Sequence, residues 1–157
     1  MSRARRLLGT VMDPYPAYAL GRGLKTLPLR VAKHNANAQA VAEFLAADRR
    51  VSQVYYPGLP SHPDHGIASR QMSGFGGMVS FTLRGGEEAA LKVCERVTVF
   101  TLGESLGGVE SLIEHPGRIT HASVAGSPLE VPDDLVRLSV GIEDIEDLIA
   151  DLSQALA

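Results

Sequence analysis

The sequence lacks a second cysteine, a long apolar run and an excess of charge of either sign. Its single cysteine, Cys94, cannot form a disulfide within the chain, so a reduced, buried thiol and a cytoplasmic location are expected. Fifteen basic and eighteen acidic side chains give a formal net charge of -3, which gives no reason to expect nucleic acid or a membrane surface as a partner. No run approaches the ~20 apolar residues that span a bilayer, so no membrane segment is predicted.

Length and composition indicate one globular domain. A chain of 157 residues forms a single core that buries roughly 70% of its unfolded surface. The apolar fraction of 45% and the charged fraction of 21% argue against a disordered or fibrous protein. Ser2 to Leu8 is basic like the start of a signal peptide, but Gly9 and Asp13 interrupt the apolar run that should follow. Residues 1–12 are therefore interpreted as a basic tail or the remnant of a longer chain.

Two helices are predicted in the first third of the chain. Asp13-Pro14 is a helix-start signal, because aspartate can accept the unpaired amide hydrogen bonds and proline suits the first turn. Gly21 and Gly23 make a long continuation of this helix doubtful. A second helix, amphipathic and about five turns long, is predicted to begin at Leu27 and end near Ala47.

Strands and helices alternate in the remainder. A strand over Leu135–Ile142 and a helix over the last residues are the clearest pair, since apolar residues recur there every second and then every third or fourth position. Together the elements predict an α+β sandwich in which helices cover one side of a small sheet and leave the other side free. The other predicted elements are a strand over 51–56, a helix over 61–72, a strand over 77–83, a helix over 87–97, a strand over 97–102 and a long surface loop over 116–133.

Arg137 is the first candidate binding residue. It lies on the polar face of the last strand, opposite Val136 and Leu138, and a planar guanidinium can give a carboxylate two parallel hydrogen bonds. The alternative is an arginine that is simply solvated. Glu104-Ser105 precedes small residues that would let the backbone approach a ligand, although a plain turn explains the same pattern.

Other possible sites have incomplete patterns. His62 and His65 share a spacing of three, but no third metal ligand accompanies them, so no metal site is predicted. Nothing marks Cys94 as an activated nucleophile. The glycine-rich segment Ser73–Gly77 lacks the Lys-Ser/Thr pair of a phosphate-binding loop and leads into a strand.

Six segments, in order along nearly the whole chain, resemble the C-terminal part of the pyridoxal-phosphate (PLP) enzymes of Cys/Met metabolism. The resemblance is closest to cystathionine γ-synthase and cystathionine γ-lyase. Six collinear motifs are far more specific than any one of them. The segments are Arg22–Arg30, Tyr56–Pro63, Gly74–Met78, Glu104–Pro116, Thr120-His121 and Arg137–Asp144.

The resemblance implies a fold and a set of site residues. Residues 13–157 would form the small C-terminal domain of a fold-type I enzyme, with a mainly antiparallel sheet. Arg137 matches the arginine that holds the substrate α-carboxylate, and Thr120 matches a threonine near that site. Ser105 matches a serine beside the imine that the cofactor forms with its lysine. Glu104 matches an acidic position of the synthase and γ-lyase pattern.

The resemblance also implies PLP as cofactor and a homo-oligomer that acts on an amino-acid substrate of the cystathionine or homoserine-ester type. Family members use PLP to labilise bonds at the α, β and γ carbons during transsulfuration. The cofactor lysine is missing, because none of Lys25, Lys33 and Lys92 stands in the family's Ser-x-x-Thr-Lys-like context. No catalytic residue is therefore predicted, and the chain alone is expected to be inactive.

Three interpretations follow from the missing lysine. The chain could be one part of an enzyme whose large PLP-binding domain is a separate polypeptide. It could instead be a non-catalytic interaction or oligomerisation domain. The third interpretation is the truncated gene product of a full-length enzyme.

Overall fold

The structure is a computed structural model that describes Arg3, residues 7–124 and residues 126–157. Its contacts divide the chain into one unit of residues 1–30 and a second of residues 31–157. Arg5 and Arg6 of the predicted basic tail lie outside the described residues. Within the described residues, no helix combines the length and the apolarity needed to cross a membrane.

Helix α1 (Pro14–Leu24) starts where the sequence predicts. The Asp13 carboxylate accepts a hydrogen bond from the Tyr15 N–H at 3.0 Å and so caps the first turn. The helix continues through Gly21 and Gly23, so the interruption expected there is wrong. A glycine inside an exposed helix costs only about 1 kcal/mol, which does not end it. None of the residues of α1 is buried.

Helix α2 (Leu27–Ala47) has the predicted start and end. Leu27 and Val31 are exposed, so the apolar stripe of this helix is buried only over its second half. Burial begins at His34, whose Nδ1 lies 2.7 Å from the Val140 carbonyl oxygen. The buried apolar residues of α2 are Ala38, Val41, Ala42 and Leu45.

Five strands form one sheet in the order β1-β2-β5-β4-β3. The pairings β1-β2, β2-β5 and β4-β5 are antiparallel, whereas β3-β4 is parallel. The sheet is therefore small and mainly antiparallel, as predicted, and its central strand is the last in sequence. The strands are β1 (Val51–Tyr55), β2 (Met78–Leu83), β3 (Thr101–Leu102), β4 (Leu112–Glu114) and β5 (Leu135–Ser139).

A helical layer completes the core on one face of this sheet. The remaining helices are α3 (His65–Gln71), α4 (Gly86–Arg96) and α5 (Ile145–Leu156). Buried side chains of α2, α4 and α5 join one apolar cluster with Phe81 of β2 and with Val136 and Leu138 of β5. The α+β fold class is confirmed. Because side chains alternate along a strand, Arg137 lies on the opposite face.

The helix predicted over 61–72 is shorter than expected, because turns occupy the residues that precede it. Each of Leu59, His62 and His65 donates its N–H to the carbonyl three residues earlier, at 3.0 Å. Only His65–Gln71 is helical. The boundary prediction at residue 61 is therefore wrong by one turn.

The strand predicted over 97–102 is also shorter, since only Thr101–Leu102 pairs with a neighbour. The backbone N–H groups of Thr98, Val99 and Phe100 donate instead to the carboxylate of Asp151. A side chain of α5 thus takes the hydrogen bonds that a longer strand would have used.

The long loop over 116–133 is confirmed, and a buried histidine joins its two ends. His115 Nε2 lies 2.6 Å from the Asp133 carbonyl oxygen, and its Nδ1 accepts a hydrogen bond from the Arg118 N–H at 3.2 Å. These contacts describe a neutral ring that donates from Nε2. The loop contains a short 3-10 helix at Ala122–Val124.

Candidate functional site

Arg137 and Glu114 form a charged pair within the sheet. They face each other across the antiparallel β4–β5 pairing, and Arg137 Nη1 lies 2.9 Å from Glu114 Oε1. The Glu114 side chain is fully buried, whereas 19% of the Arg137 side chain is exposed. The arginine therefore compensates a buried negative charge and still reaches solvent.

A loop from the glycine-rich segment lies over the same guanidinium. Arg137 Nη2 donates to the Glu104 carbonyl oxygen at 2.7 Å and to the Ser105 carbonyl oxygen at 3.3 Å. Arg137 Nε has no partner among the described residues. Two backbone carbonyls and one carboxylate thus fix the orientation of the arginine without using all five of its N–H groups.

Thr120 joins this cluster through Glu114. Its hydroxyl donates to Glu114 Oε1 at 3.1 Å, and its Oγ1 lies 2.8 Å from His121 Nδ1. The second carboxylate oxygen of Glu114, Oε2, has no partner among the described residues. A hydrogen-bonded chain therefore connects the exposed His121 to the buried end of Arg137.

The four residues predicted for the site lie around one guanidinium. Arg137 is at its centre, Glu104 and Ser105 contact it through their backbone, and Thr120 contacts it through Glu114. The side chains of Glu104 and Ser105 are exposed, and no described contact involves them. Their assigned roles toward substrate and cofactor stay predictions.

The loop that carries Glu104 and Ser105 is anchored at both ends on β5 and on the residues that follow it. Gly107, with a φ of 76°, donates its N–H to Ser139 Oγ at 2.9 Å. That φ is in the left-handed region, where glycine carries no steric penalty. Further along, the Ser111 N–H and hydroxyl donate to the Glu143 carboxylate at 2.6 and 2.8 Å.

Close packing of backbone against backbone completes this anchor. The Gly141 N–H donates to Ser111 Oγ at 2.8 Å, and the Ile142 N–H donates to the Val109 carbonyl oxygen at 2.9 Å. A side chain at Gly141 would collide with that same Val109 oxygen. The position of the loop over Arg137 is therefore set by the strand that carries Arg137.

The sequence pattern does not reveal two acidic residues of this arrangement. Glu114 belongs by sequence to the glycine-rich segment, although an acidic residue after Leu112-Ile113 fits a short strand opposite Arg137. Glu143 is predicted at the start of the last helix, which begins instead at Ile145 after the cap Asp144. Because acidic residues are common where a helix starts, the sequence gives no sign that Glu143 contacts Ser111 instead.

The lysines of the chain do not fit covalent attachment of PLP. A lysine that forms a Schiff base is activated by desolvation or by a neighbouring cation. Lys25 and Lys92 are exposed, Lys33 is only half-buried, and Lys92 pairs with Glu88 at 2.7 Å. The chain therefore carries groups that suit a substrate carboxylate but no lysine suited to the cofactor.

His65 and Cys94 have structural surroundings. His65 Nδ1 lies 2.7 Å from the Pro57 carbonyl oxygen, and its ring centroid lies 5.8 Å from that of Phe75. Among the described residues, no three His, Cys, Asp or Glu side chains come together as metal ligands. Cys94 is buried, and burial, with the nearby Glu114 charge as the next cause, raises the pKa of its thiol to about 12.

Comparison with known proteins places the whole chain in one family. Residues 1–157 match the model of a family described as Cys/Met metabolism PLP-dependent enzyme. The chain is 67% identical over 148 residues to a cystathionine gamma-synthase of Mycobacterium tuberculosis, which covers 94% of this chain and 38% of that protein. It is 53% identical over 152 residues to a cystathionine beta-lyase of Lactococcus lactis, with 95% and 40% covered.

A solved structure agrees with the fold. The crystal structure of metB from Corynebacterium glutamicum matches with a TM-score of 0.93 and 55% sequence identity. The match covers 98% of this chain and 40% of that one. The chain thus spans about two fifths of the length of the relatives it matches.

Proposed function

Because this chain belongs to the family of Cys/Met metabolism PLP-dependent enzymes, we propose that it supplies the substrate-carboxylate-binding part of a cystathionine γ-synthase-like or lyase-like enzyme of transsulfuration. One observation carries the proposal. Arg137 is held by Glu114 from below and by the loop carbonyls of residues 104 and 105 from above, yet remains partly exposed. A fixed and accessible guanidinium is suited to a carboxylate.

Arg137 binds the α-carboxylate of the amino-acid substrate by exchanging partners. Without substrate, its outer N–H groups donate to the neutral carbonyls of Glu104 and Ser105. A carboxylate adds the attraction of an opposite charge and accepts two parallel N–H···O bonds from one guanidinium, which a neutral carbonyl cannot do. Substrate therefore displaces at least one carbonyl, and the contact to Glu114 keeps the guanidinium in place.

Glu114 and Thr120 act as positioning residues. Glu114 fixes one edge of the Arg137 guanidinium, and the Thr120 hydroxyl fixes the Glu114 carboxylate in turn. A bound carboxylate is thereby held in one orientation, which places the substrate carbons at a set distance from the reacting groups.

The substrate class and reaction class come from the relatives. Proteins similar to this chain are named cystathionine gamma-synthase, cystathionine beta-lyase and cystathionine gamma-lyase. We assign cystathionine or a homoserine ester as substrate, with γ-replacement or γ-elimination as the reaction in the cytoplasm. The acidic residue Glu104 favours the synthase and γ-lyase pattern.

PLP supplies the electron sink for such chemistry, and its lysine must come from residues outside this chain. A large PLP-binding domain, as a partner polypeptide, would meet that need. This chain then binds and orients the substrate, and the large PLP-binding domain completes the site within a homo-oligomer of the assembled enzyme.

Reconstitution tests the proposal. The chain is mixed with the part of the Mycobacterium tuberculosis relative that it does not match, in the presence of PLP, a homoserine ester and cysteine. Cystathionine formation is expected from the mixture and from neither part alone. Arg137→Lys should raise the KM for the ester by about 10- to 100-fold with a smaller change in kcat, because lysine cannot form the paired hydrogen bonds.

Arg70→Lys is the matched control, since Arg70 is exposed in the last turn of α3. Cystathionine formation by the chain and PLP alone would contradict the predicted inactivity of the lone chain. A mixture that associates but stays inactive would contradict the proposed enzyme function, and an Arg137→Lys variant with an unchanged KM would contradict the assignment of Arg137.

The second candidate is an interaction or oligomerisation domain without catalysis. Large apolar side chains of α1, including Tyr15, Tyr18 and Leu24, are exposed. Such a surface is typical of a protein–protein contact. An inactive reconstituted mixture together with stable self-association would favour this function.

A further inference from the structure

A groove lies on the helical side of the sheet, where the end of β2 meets α4 and the end of α5. Its volume is about 360 Å³, within the range of roughly 300–1,000 Å³ that is usual for small-molecule clefts. Buried side chains form its floor, among them Leu83, Val93 and Leu156. An apolar body could therefore be desolvated there.

Cationic side chains line the same groove, and no acidic side chain of the described residues does so. The five cations are Arg49, Arg50, Arg84, Lys92 and Arg96, all of them exposed. An apolar floor with positive charges around it complements a molecule that joins an apolar group to a negative one.

Two of the cations have acidic partners beside the groove. Arg50 forms two hydrogen bonds with Asp48, at 2.9 and 2.6 Å, and these raise the pKa of its guanidinium. Lys92 pairs with Glu88 one helical turn away, at 2.7 Å. These two side chains are largely neutralised.

The guanidinium groups of Arg49, Arg84 and Arg96 have no acidic partner among the described residues. Arg84 is oriented as well, because its Nε donates to the Arg49 carbonyl oxygen at 3.1 Å. Its two terminal nitrogens remain available to a ligand.

We propose that this groove binds a small organic anion, a phosphate or carboxylate joined to an apolar group. The apolar group lies on the floor formed by Leu83 and Val93, and the anion contacts Arg84 and Arg96. The site is distinct from Arg137, which lies on the opposite face of the sheet. A ligand here would leave the substrate carboxylate site open.

Equilibrium dialysis of the full chain with phenyl phosphate tests the proposal, with inorganic phosphate and phenol as the partial ligands. Phenyl phosphate should bind saturably and more tightly than either one, because only phenyl phosphate uses both the floor and the cations. Arg84→Gln/Arg96→Gln should weaken its binding at least about tenfold. Arg22→Gln/Arg70→Gln makes the same change of charge elsewhere and should leave the affinity unchanged.

Two further variants distinguish binding in this groove from charge attraction alone and from binding at Arg137. Ala89 also lines the groove. Ala89→Leu fills the floor and keeps every charge, so it should abolish the preference for phenyl phosphate over inorganic phosphate. Arg137→Lys, which keeps a positive charge beside the buried Glu114, should bind phenyl phosphate like the wild type, which makes the result independent of the proposed function.

Labelling of arginines with phenylglyoxal, mapped by mass spectrometry, locates the ligand. Phenyl phosphate should protect Arg84 and Arg96 and leave Arg70 reactive. Equal weakening by the two double variants, equal protection of all arginines, or the absence of saturable binding would overturn the proposal.

Discussion

Arg137 and Glu114 show which part of a site can be read from residue order. Side chains along a strand alternate between its two faces, so the local sequence of β5 is sufficient to place Arg137 on the face opposite the apolar layer. Its partner depends on the register between two strands that are far apart in the chain. That register is set by packing, so Glu114 became visible only in the structure.

The pair predicts a large effect of Arg137→Ala on stability. The variant leaves a fully buried carboxylate without its counter-charge, so the free energy of unfolding should fall by about 3–5 kcal/mol. Glu114→Ala/Arg137→Ala should lose less than the sum of the single variants, with a coupling of about 1–3 kcal/mol. Urea unfolding at neutral pH measures both quantities.

Arg70→Ala removes an exposed arginine from α3 and should change the stability by less than about 0.5 kcal/mol. Strictly additive effects of the two single variants would show that the charges of Arg137 and Glu114 are not coupled.

Cys94 should be inert in the folded chain. Burial leaves 7% of the residue exposed and raises the pKa of its thiol to about 12, so at pH 8 the thiolate is roughly a thousandfold scarcer than for an exposed cysteine. Iodoacetamide should alkylate the chain at the normal rate in concentrated urea and at least about a hundredfold more slowly in buffer. Since this is the only cysteine, rapid labelling of the folded chain would place the thiol at the surface.

At the scale of elements, one carboxylate of α5 replaces part of a strand. Asp151, only 3% exposed, accepts hydrogen bonds from three successive backbone N–H groups at residues 98–100 and from the Thr98 hydroxyl. Burial alone would raise the pKa of Asp151, but the hydrogen bonds from Phe100, Thr98 and Val99 outweigh it and lower the pKa below 3.8. The carboxylate thus fastens α5 to the segment between α4 and β3.

The lowered pKa fixes the pH dependence of this contact. The ionised form of Asp151 stabilises the fold above the unfolded pKa of 3.8, and the contribution is lost as pH falls through the folded value. Asp151→Asn should therefore reduce the free energy of unfolding by about 2–3 kcal/mol at pH 7. The difference from the wild type should shrink as pH drops below 3.8.

Urea titrations at several pH values would follow this difference. Asp64→Asn is the control, because Asp64 is exposed and its side chain makes no cap hydrogen bond. A difference between Asp151→Asn and wild type that stays constant from pH 7 to pH 3 would exclude the titration of Asp151 as its cause.

Elements whose ends are set by nearby residues were predicted more accurately than elements whose ends depend on distant residues. The start of α1 at Asp13 and both ends of α2 follow from caps, proline and periodicity. The short β3 follows from Asp151, about fifty residues away. The glycine-rich segment that contains β4 indicates a loop or an irregular strand, but not the pairing of β4 with β5. Contacts of that separation leave no local pattern in the sequence.

For the whole molecule, the apolar surface of α1 predicts self-association. Tyr15 and Tyr18 are 77% and 66% exposed and lie on one face of the helix, and burying each should contribute about 1.5–3 kcal/mol to an assembly. Sedimentation velocity should show concentration-dependent oligomers of the wild type. Tyr15→Gln/Tyr18→Gln should weaken the association at least about tenfold.

Ile67→Gln/Leu129→Gln also removes two exposed apolar side chains and should leave the association unchanged. A wild-type chain that stays monomeric at high concentration would remove the support that α1 gives to an oligomer.

The family of the whole chain could be predicted from its sequence, whereas the basic groove could not. Six collinear motifs were sufficient to predict the family, which the match over residues 1–157 confirms. The basic groove could not be predicted, because Arg49, Arg84 and Arg96 come from separate segments that meet only when α4 packs on the sheet. Residues that come together only when the chain folds do not form a sequence motif.

The position of β5 at the centre of the sheet has a consequence for synthesis on the ribosome. A nascent chain that has emerged from the ribosome only through β4 holds the β1–β2 pair and the β3–β4 pair as two separate fragments, because β5, the strand that joins them, has not yet emerged. Each fragment then exposes an edge that can pair with a neighbouring chain on the same messenger RNA. A pause in synthesis before β5 emerges should therefore increase the demand for chaperones.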